Sequence, residues 1–435
     1  MSTKTPTQLN LYAYQVGFGD CFLLQFVYPD RNRHVLIDFG SMGLREEDGE
    51  DVMMQVAQDI KQRCGGRLDA VVATHRHADH ISGFATKAGG KGTGDIIRSL
   101  KPTVVLQPWT EDLSLDPKAR APKAKVALGT GSRRAVAALS AMNDLSEQVT
   151  QLAINQPKNL PDGMAKRLEF LGRDNTKNLS AVENLAHMGR SGKAVYAHFG
   201  MADPLRSVLP GVKTHVLGPP TVEQAPSIQK QRSTDDEEFW HFHARGVATA
   251  NTLATGTDGP FAADFVRAKK GKLPLESRWA AKRVMAARGD QVLSIVTMLD
   301  KAMNNTSLIL LLEVGGKRLL FPGDAQIENW SYALSQPNVQ AMLADVDLYK
   351  VGHHGSLNAT PKSLWKAFKK KGGPSKKARM TSVLSTMPHK HGSEEKRTEV
   401  PRRSLVQTLR DGTHFHTTED VPAQGLFKLV TIPLG

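Results

Sequence analysis

Thr74-His75-Arg76-His77-Ala78-Asp79-His80 follows directly on the apolar run Leu68-Asp69-Ala70-Val71-Val72-Ala73. That run is short, β-branched in its centre and preceded by Gly65-Gly66, so it reads as a buried strand. Its exit delivers His75, His77, Asp79 and His80 within six residues. Imidazole nitrogens and carboxylate oxygens are the donors that zinc-like or manganese-like ions bind. Alternate residues of an extended segment share a face, so His75 and His77 point one way. Asp79 and His80 come from the following turn and are placed to serve a second ion. A polar turn that merely happens to be rich in histidine is the competing reading. The density of the pattern and its position at a strand end argue against it.

Upstream of this stretch, Leu9 to Tyr14, Phe22 to Val27 and His34 to Ile37 read as strands, the last two joined by the Pro29-Asp30 turn. The third ends in Asp38-Phe39-Gly40. A buried aspartate at a strand end needs partners; beside a ligand cluster, Asp38 is placed to orient a histidine from behind. Asp51 to Lys61 carries Val52, Met53, Val56, Ala57 and Ile60 on one helical face. Downstream, Ser307 to Val314 and Arg318 to Phe321 form a hairpin across Gly315-Gly316. The hairpin delivers Gly323-Asp324, and a helix over about 326–334 follows. The strand 345–351 leads into His353-His354-Gly355-Ser356, and the strand 381–385 into His389 and His391. A carboxylate can bridge two cations ~3.5–4 Å apart, which suits Asp324. His353 or His354 would complete the site of Asp79 and His80, and the spacing does not say which.

Between about 110 and 300 the character changes to polar sequence read as mostly helical. It carries Lys118, Arg120, Lys123, Lys125, Arg133 and Arg134. His241 and His243 fall in it without an adjacent Asp-His pair and read as helix surface. No repeat of solenoid period is present.

The whole chain has 435 residues and a formal net charge of +14. That excess favours anionic partners, DNA or RNA foremost, with a generally basic soluble surface as the plain alternative. No run approaches the ~18 apolar residues of a membrane helix, and the first residues lack a secretory h-region. Cys21 and Cys64 make no disulfide framework. A cytoplasmic protein without membrane attachment is the expectation; oligomeric state is not legible.

Asp38-Phe39-Gly40, Thr74 to His80, Asn304 to Leu310, Gly323-Asp324-Ala325 and Lys350 to Ser356 resemble, in order, the metallo-β-lactamase domain of ComEC-type DNA-uptake proteins. Val16-Gly17-Phe18-Gly19-Asp20 is similar to that group's glycine turn. The stretch Gly323 to Trp330 looks more like its soluble stand-alone relatives. The resemblance covers roughly 9–109 and 304–432. It implies an α/β fold, the four-layer αββα sandwich, as a single domain over 1–435 with a large insertion at about 110–300.

It also implies two divalent ions, zinc or manganese, held by His75, His77, Asp79, His80, Asp324 and one or both of His353 and His354. Asp79, His353 and His354 would take the catalytic roles, with water activated as nucleophile. Many relatives add a further histidine to the ion of His75 and His77. Here His198 and His215 are the strand-associated candidates and both read as structural, so one ion is expected to be held weakly.

A phosphodiesterase acting on nucleic acid or nucleotides is the leading expectation. Hydrolysis of small esters, lactones or phosphorylated head groups is the runner-up. A nucleic-acid-binding or partner-binding protein with a secondary metal site is the reading from another class. For a polynucleotide, Lys369, Lys370 and Lys371, with His389 and His391, are expected to line the approach.

Overall fold

Ser307 to Val314 is apolar at almost every position, and such a strand has to be covered on both faces. The computed structural model, which describes residues 5–45, 51–112, 114, 120–122, 179–225, 304–356, 360–388, 390 and 399–435, shows how. Much of the polar stretch read as mostly helical, together with Lys118, Lys123, Lys125, Arg133, Arg134, His241, His243, His389 and His391, lies outside the described residues.

Two sheets carry the fold. The first has the order β13-β1-β2-β3-β4-β5-β6, with β1 (Gln8–Tyr14), β2 (Cys21–Val27), β3 (Arg33–Phe39), β4 (Ala70–Val72), β5 (Val104–Pro108), β6 (Lys193–Ala197) and β13 (Phe427–Pro433). The second has the order β12-β11-β10-β9-β8-β7, with β7 (Lys213–Gly218), β8 (Ile309–Val314), β9 (Lys317–Phe321), β10 (Leu348–Lys350), β11 (Thr381–Leu384) and β12 (His414–Thr417). All of these belong to one unit, made of 1–135, 177–225 and 303–435.

Side-chain alternation explains the layering. Leu308, Leu310 and Leu312 join Leu11, Phe22, Leu24, Val35, Val72 and Leu106 in the core between the sheets. Ile309 and Leu311 point the other way, onto Trp330, Leu343, Leu364 and Leu409. Those belong to α5 (Ile327–Leu334), α6 (Pro337–Ala344), α7 (Lys362–Ala367) and α8 (Arg403–Gly412). A leucine buried this completely contributes about 1.5–3 kcal/mol.

In the first sheet, β3, β4, β5 and β6 are parallel, so each crossover needs a covering connection. Helices α1 (Val52–Arg63), α3 (Thr93–Ser99) and α4 (Leu179–Ser191) supply it, and α2 (Ala78–Ile81) is the short helix of the histidine motif. α1 buries Val52, Val56, Ala57 and Ile60 of the face read from the sequence and leaves Met53 half-buried. The result is the mixed α/β, two-sheet sandwich expected.

The hairpin from β8 to β9 turns on Gly315 and Gly316, with φ of 54° and 70°. Positive φ at both central residues is the type I′ geometry that matches strand twist. Three elements escape the sequence reading. α6 and α7 are short, and β12 is a polar edge strand, His-Phe-His-Thr, without an apolar run. Cys21 and Cys64 are free and buried. Among the described residues no helix is long and apolar enough to cross a membrane.

Parallel strands bring their carboxyl ends to one edge, the usual place for a site in an α/β sheet. β3 ends at Asp38, β4 at the histidine motif, β9 at Asp324, β10 at Lys350 and the histidine pair, and β11 at Ser385.

Candidate metal centre

Thr74 is the hinge of the site. Its N–H and its hydroxyl both donate to Asp38, at 2.7 Å each. With its proton committed to Asp38, the hydroxyl oxygen accepts from Nδ1 of His75, 3.2 Å away. Asp38 also accepts from Nδ1 of His80 at 2.8 Å. Nδ1 of His354 donates to the carbonyl of Ser385 at 3.1 Å. This network assigns the proton to Nδ1 in all three rings and leaves each Nε2 for the interior, the role expected of groups behind a metal's ligands. Asp38 itself sits at φ 56°, a left-handed backbone for a non-glycine residue.

The remaining ring nitrogens and the carboxylates converge. Nε2 of His75 lies 3.0 Å from Nδ1 of His77. Nε2 of His80 lies 3.1 Å from Oδ2 of Asp324, and Nε2 of His354 lies 2.7 Å from Oδ2 of Asp79. Asp79, His80, Asp324 and His354 form one group of donor atoms all within 4.8 Å of one another. His75, His77 and Asp79 form a second, and all these side chains are buried.

The carboxylate common to these two groups is Asp79, and Asp324 joins the group of His80. Asp79 lies in the first turn of α2, two residues after His77, so it stands between the two sets, while Asp324 arrives from the other sheet on the His80 side.

The structure also divides His353 from His354. Both have positive φ, 43° and 48°, so the chain turns sharply and sends the rings apart. His354 is fully buried and in the donor group. The His353 side chain is 27% exposed; its Nε2 stands 4.0 Å from Asp324, and its N–H donates to Oδ1 of Asp324 at 3.0 Å. His354 is the ligand candidate and His353 the solvent-side residue.

The donor set fits divalent cations. Two imidazole nitrogens meet at 3.0 Å, and Oδ1 of Asp79 is buried with no hydrogen bond. Burial alone would depress His80, but the carboxylates of Asp324, Asp79 and Asp38 outweigh it and lift His80 well above the usual histidine range. Burial pushes Asp324 upward, yet His80 and His353 beside it hold its carboxyl well below the usual range. The protein thus gathers positive charge at the place where a cation would supply it.

His198 and His215 stay out of these groups. Nδ1 of His198 faces the carbonyl of Phe199 at 3.0 Å, and Nε2 of His215 faces Glu313 on the neighbouring strand at 3.2 Å.

Lys369, Lys370 and Lys371 are not at the mouth of the cluster, a correction to the expected approach. Nζ of Lys370 donates to the carbonyl of Asp345 at 2.9 Å and to Asp347 at 3.0 Å, and Met380 N–H donates to the Lys370 carbonyl. These contacts fix the loop at the amino ends of β10 and β11. The cluster sits at their carboxyl ends, on the order of 10 Å of strand away. Nζ of Lys371 is turned back onto the carbonyl of Trp365.

Asp20, Thr74, Lys350 and Ser385 are the site residues that motif spacing did not reveal. Asp20 and Lys350 form a buried ion pair through Oδ2 and Nζ. A lysine at an inward register of an apolar strand was the available signal, since Lys350 shares a face with Leu348.

No curated protein matches the chain. Residues 14–129, which contain Asp20, Asp38 and the whole histidine motif, match the family model of the metallo-beta-lactamase superfamily.

Proposed function

We propose that the chain is a metal-dependent hydrolase whose substrates are phosphodiesters, nucleic acid or nucleotides. The observation that carries the reading is the convergence of His75, His77, Asp79, His80, Asp324 and His354, from three strand ends and two sheets, on one buried cluster. A divalent cation held there would supply Lewis acidity, lowering the pKa of a water towards ~7 and polarising the phosphoryl group that the water attacks.

The chain's own residues do the rest. Asp38, Thr74 and Ser385 hold the ligand rings in one tautomer, so that no reorganisation is needed during turnover. His353, half out of the cluster, faces incoming substrate and is placed to donate a proton to the leaving oxygen. Lys390 lies against Gly43, whose carbonyl accepts from Phe18 N–H. The Phe18 ring packs on His354 at 4.3 Å between centroids. A positive charge on this neighbouring loop suits an anionic substrate. The net charge of +14 favours the same class of substrate.

Purified protein incubated with Mn²⁺ or Zn²⁺ against DNA, RNA, cyclic nucleotides and a chromogenic phosphodiester tests the proposal. Hydrolysis that requires the added ion and is abolished by chelation is the expected result. Turnover of small esters or lactones, with every phosphodiester untouched, would replace the phosphodiesterase reading by the small-substrate one. Metal-loaded protein that binds polynucleotide but hydrolyses nothing would favour a binding protein.

A further inference from the structure

Four carboxylates, Asp20, Asp38, Asp79 and Asp324, are buried around the cluster, and one buried ammonium, Lys350, lies among them. Taking a lysine out of water is costly unless it is paired. This one is 2% exposed and ends β10, directed between the sheets as Leu348 is. Its Nζ contacts Asp20 directly, stands 3.7 Å from Oδ1 of Asp324 and donates to the carbonyl of Gly323 at 3.5 Å.

Two consequences follow from that placement. Oδ1 of Asp324 is occupied, by Lys350 on one side and by the N–H of His353 on the other, so only Oδ2 faces His80. The two oxygens of one ligand are made unequal. Moreover, Asp20 immediately precedes β2 of the first sheet, whereas Lys350 ends β10 of the second. Asp20 N–H donates to the carbonyl of Asp79 at 2.8 Å, and Gly40 N–H donates to the carbonyl of Asp20. The pair ties the turn that carries Asp79 and His80 to the neighbouring strand ends of β9 and β10, which carry Asp324 and His354. The ligands of the four-residue group are divided between the sheets in the same way.

We infer that Lys350 is a positioning residue of the metal centre: with Asp20 it clamps the two sheets at the level of the ligands and aims Oδ2 of Asp324 at His80. The inference rests on the reading of the cluster as a cation site. Residues behind metal ligands typically change affinity by about 10–100-fold when removed, which sets the expected size.

The test compares the wild type, Lys350→Met and the double variant Asp20→Asn/Lys350→Met. Each metal-free protein is titrated with Mn²⁺ and with Zn²⁺ in competition with a chelator, and its metal-free melting temperature is recorded. Lys350→Met should bind both ions about 10–100-fold more weakly and melt lower, because Asp20 is left buried without its partner. The double variant removes that stranded charge, so its melting temperature should recover while the affinity loss persists. Recovery of both quantities would mean that Lys350 only neutralises Asp20 and would overturn the inference. Unchanged affinity in either variant, with wild type binding normally, would overturn it too. Wild-type protein that takes up neither ion would overturn the cation reading and the inference together.

Discussion

Asp324→Asn should abolish hydrolysis and strip the centre of metal while leaving the fold in place. The substitution keeps the volume, and the acceptor at the Oδ1 position can still receive the His353 N–H. What disappears is a full negative charge in a site where His80 Nε2 stands 3.1 Å away and Lys350 3.7 Å away. A neutral amide is a poor ligand for a hard divalent cation. It also leaves His80 and Lys350 facing each other across a buried space with less compensation. Turnover should fall on the order of 10³-fold, which corresponds to about 4 kcal/mol of transition-state stabilisation. Steady-state kinetics with the chromogenic phosphodiester and elemental analysis of the same preparation measure both effects. Retained metal with lost turnover would make Asp324 a catalytic group without a binding role. Retention of both would remove it from the centre.

Gly40→Ala should have the second largest effect, and it acts through the backbone. A Cβ at Gly40 would lie 2.4 Å from the carbonyl carbon of Asp79 and 2.4 Å from the amide nitrogen of His80. No flexible side chain is available to move aside; the obstacle is the peptide between two of the candidate ligands, Asp79 and His80. Overpacking against side chains costs about 1–3 kcal/mol, and displacement of a buried, hydrogen-bonded backbone lies at or above the top of that range. The variant should therefore melt well below the wild type and bind metal weakly, because the turn that presents Asp79 and His80 has to shift. Denaturant unfolding of the metal-free protein isolates the packing part. An unfolding midpoint equal to that of the wild type would show that the turn yields without cost.

The sequence made legible those parts of the molecule that depend on local spacing. His75, His77, Asp79 and His80 announce themselves because several donors crowd into one strand exit. Asp38 was readable as an orienting group because a carboxylate buried at a strand end needs a partner. β8 and β9 were readable from a continuous apolar run closed by Gly315-Gly316. What escaped depends on tertiary partners. Asp20 looks like any aspartate in a glycine turn until the second sheet brings Lys350 to it. His353 and His354 are adjacent in sequence, so spacing could not separate them; positive φ at both residues does. The lysines 369–371 show why charge alone misleads. Composition reports sign and number, but strand direction decides which end of the sheet the loop occupies, and the ligands follow strands whereas these lysines precede one. β12 was missed because a polar edge strand has no apolar period to read.

Anomalous diffraction from crystals grown with Mn²⁺ or Zn²⁺ tests the central claim most directly. The expected map has one peak among Asp79, His80, Asp324 and His354 and a second, of lower occupancy, beside His75, His77 and Asp79. A map with no anomalous peak inside this cluster, with His80 still paired directly to Asp324 at saturating metal, would contradict the claim.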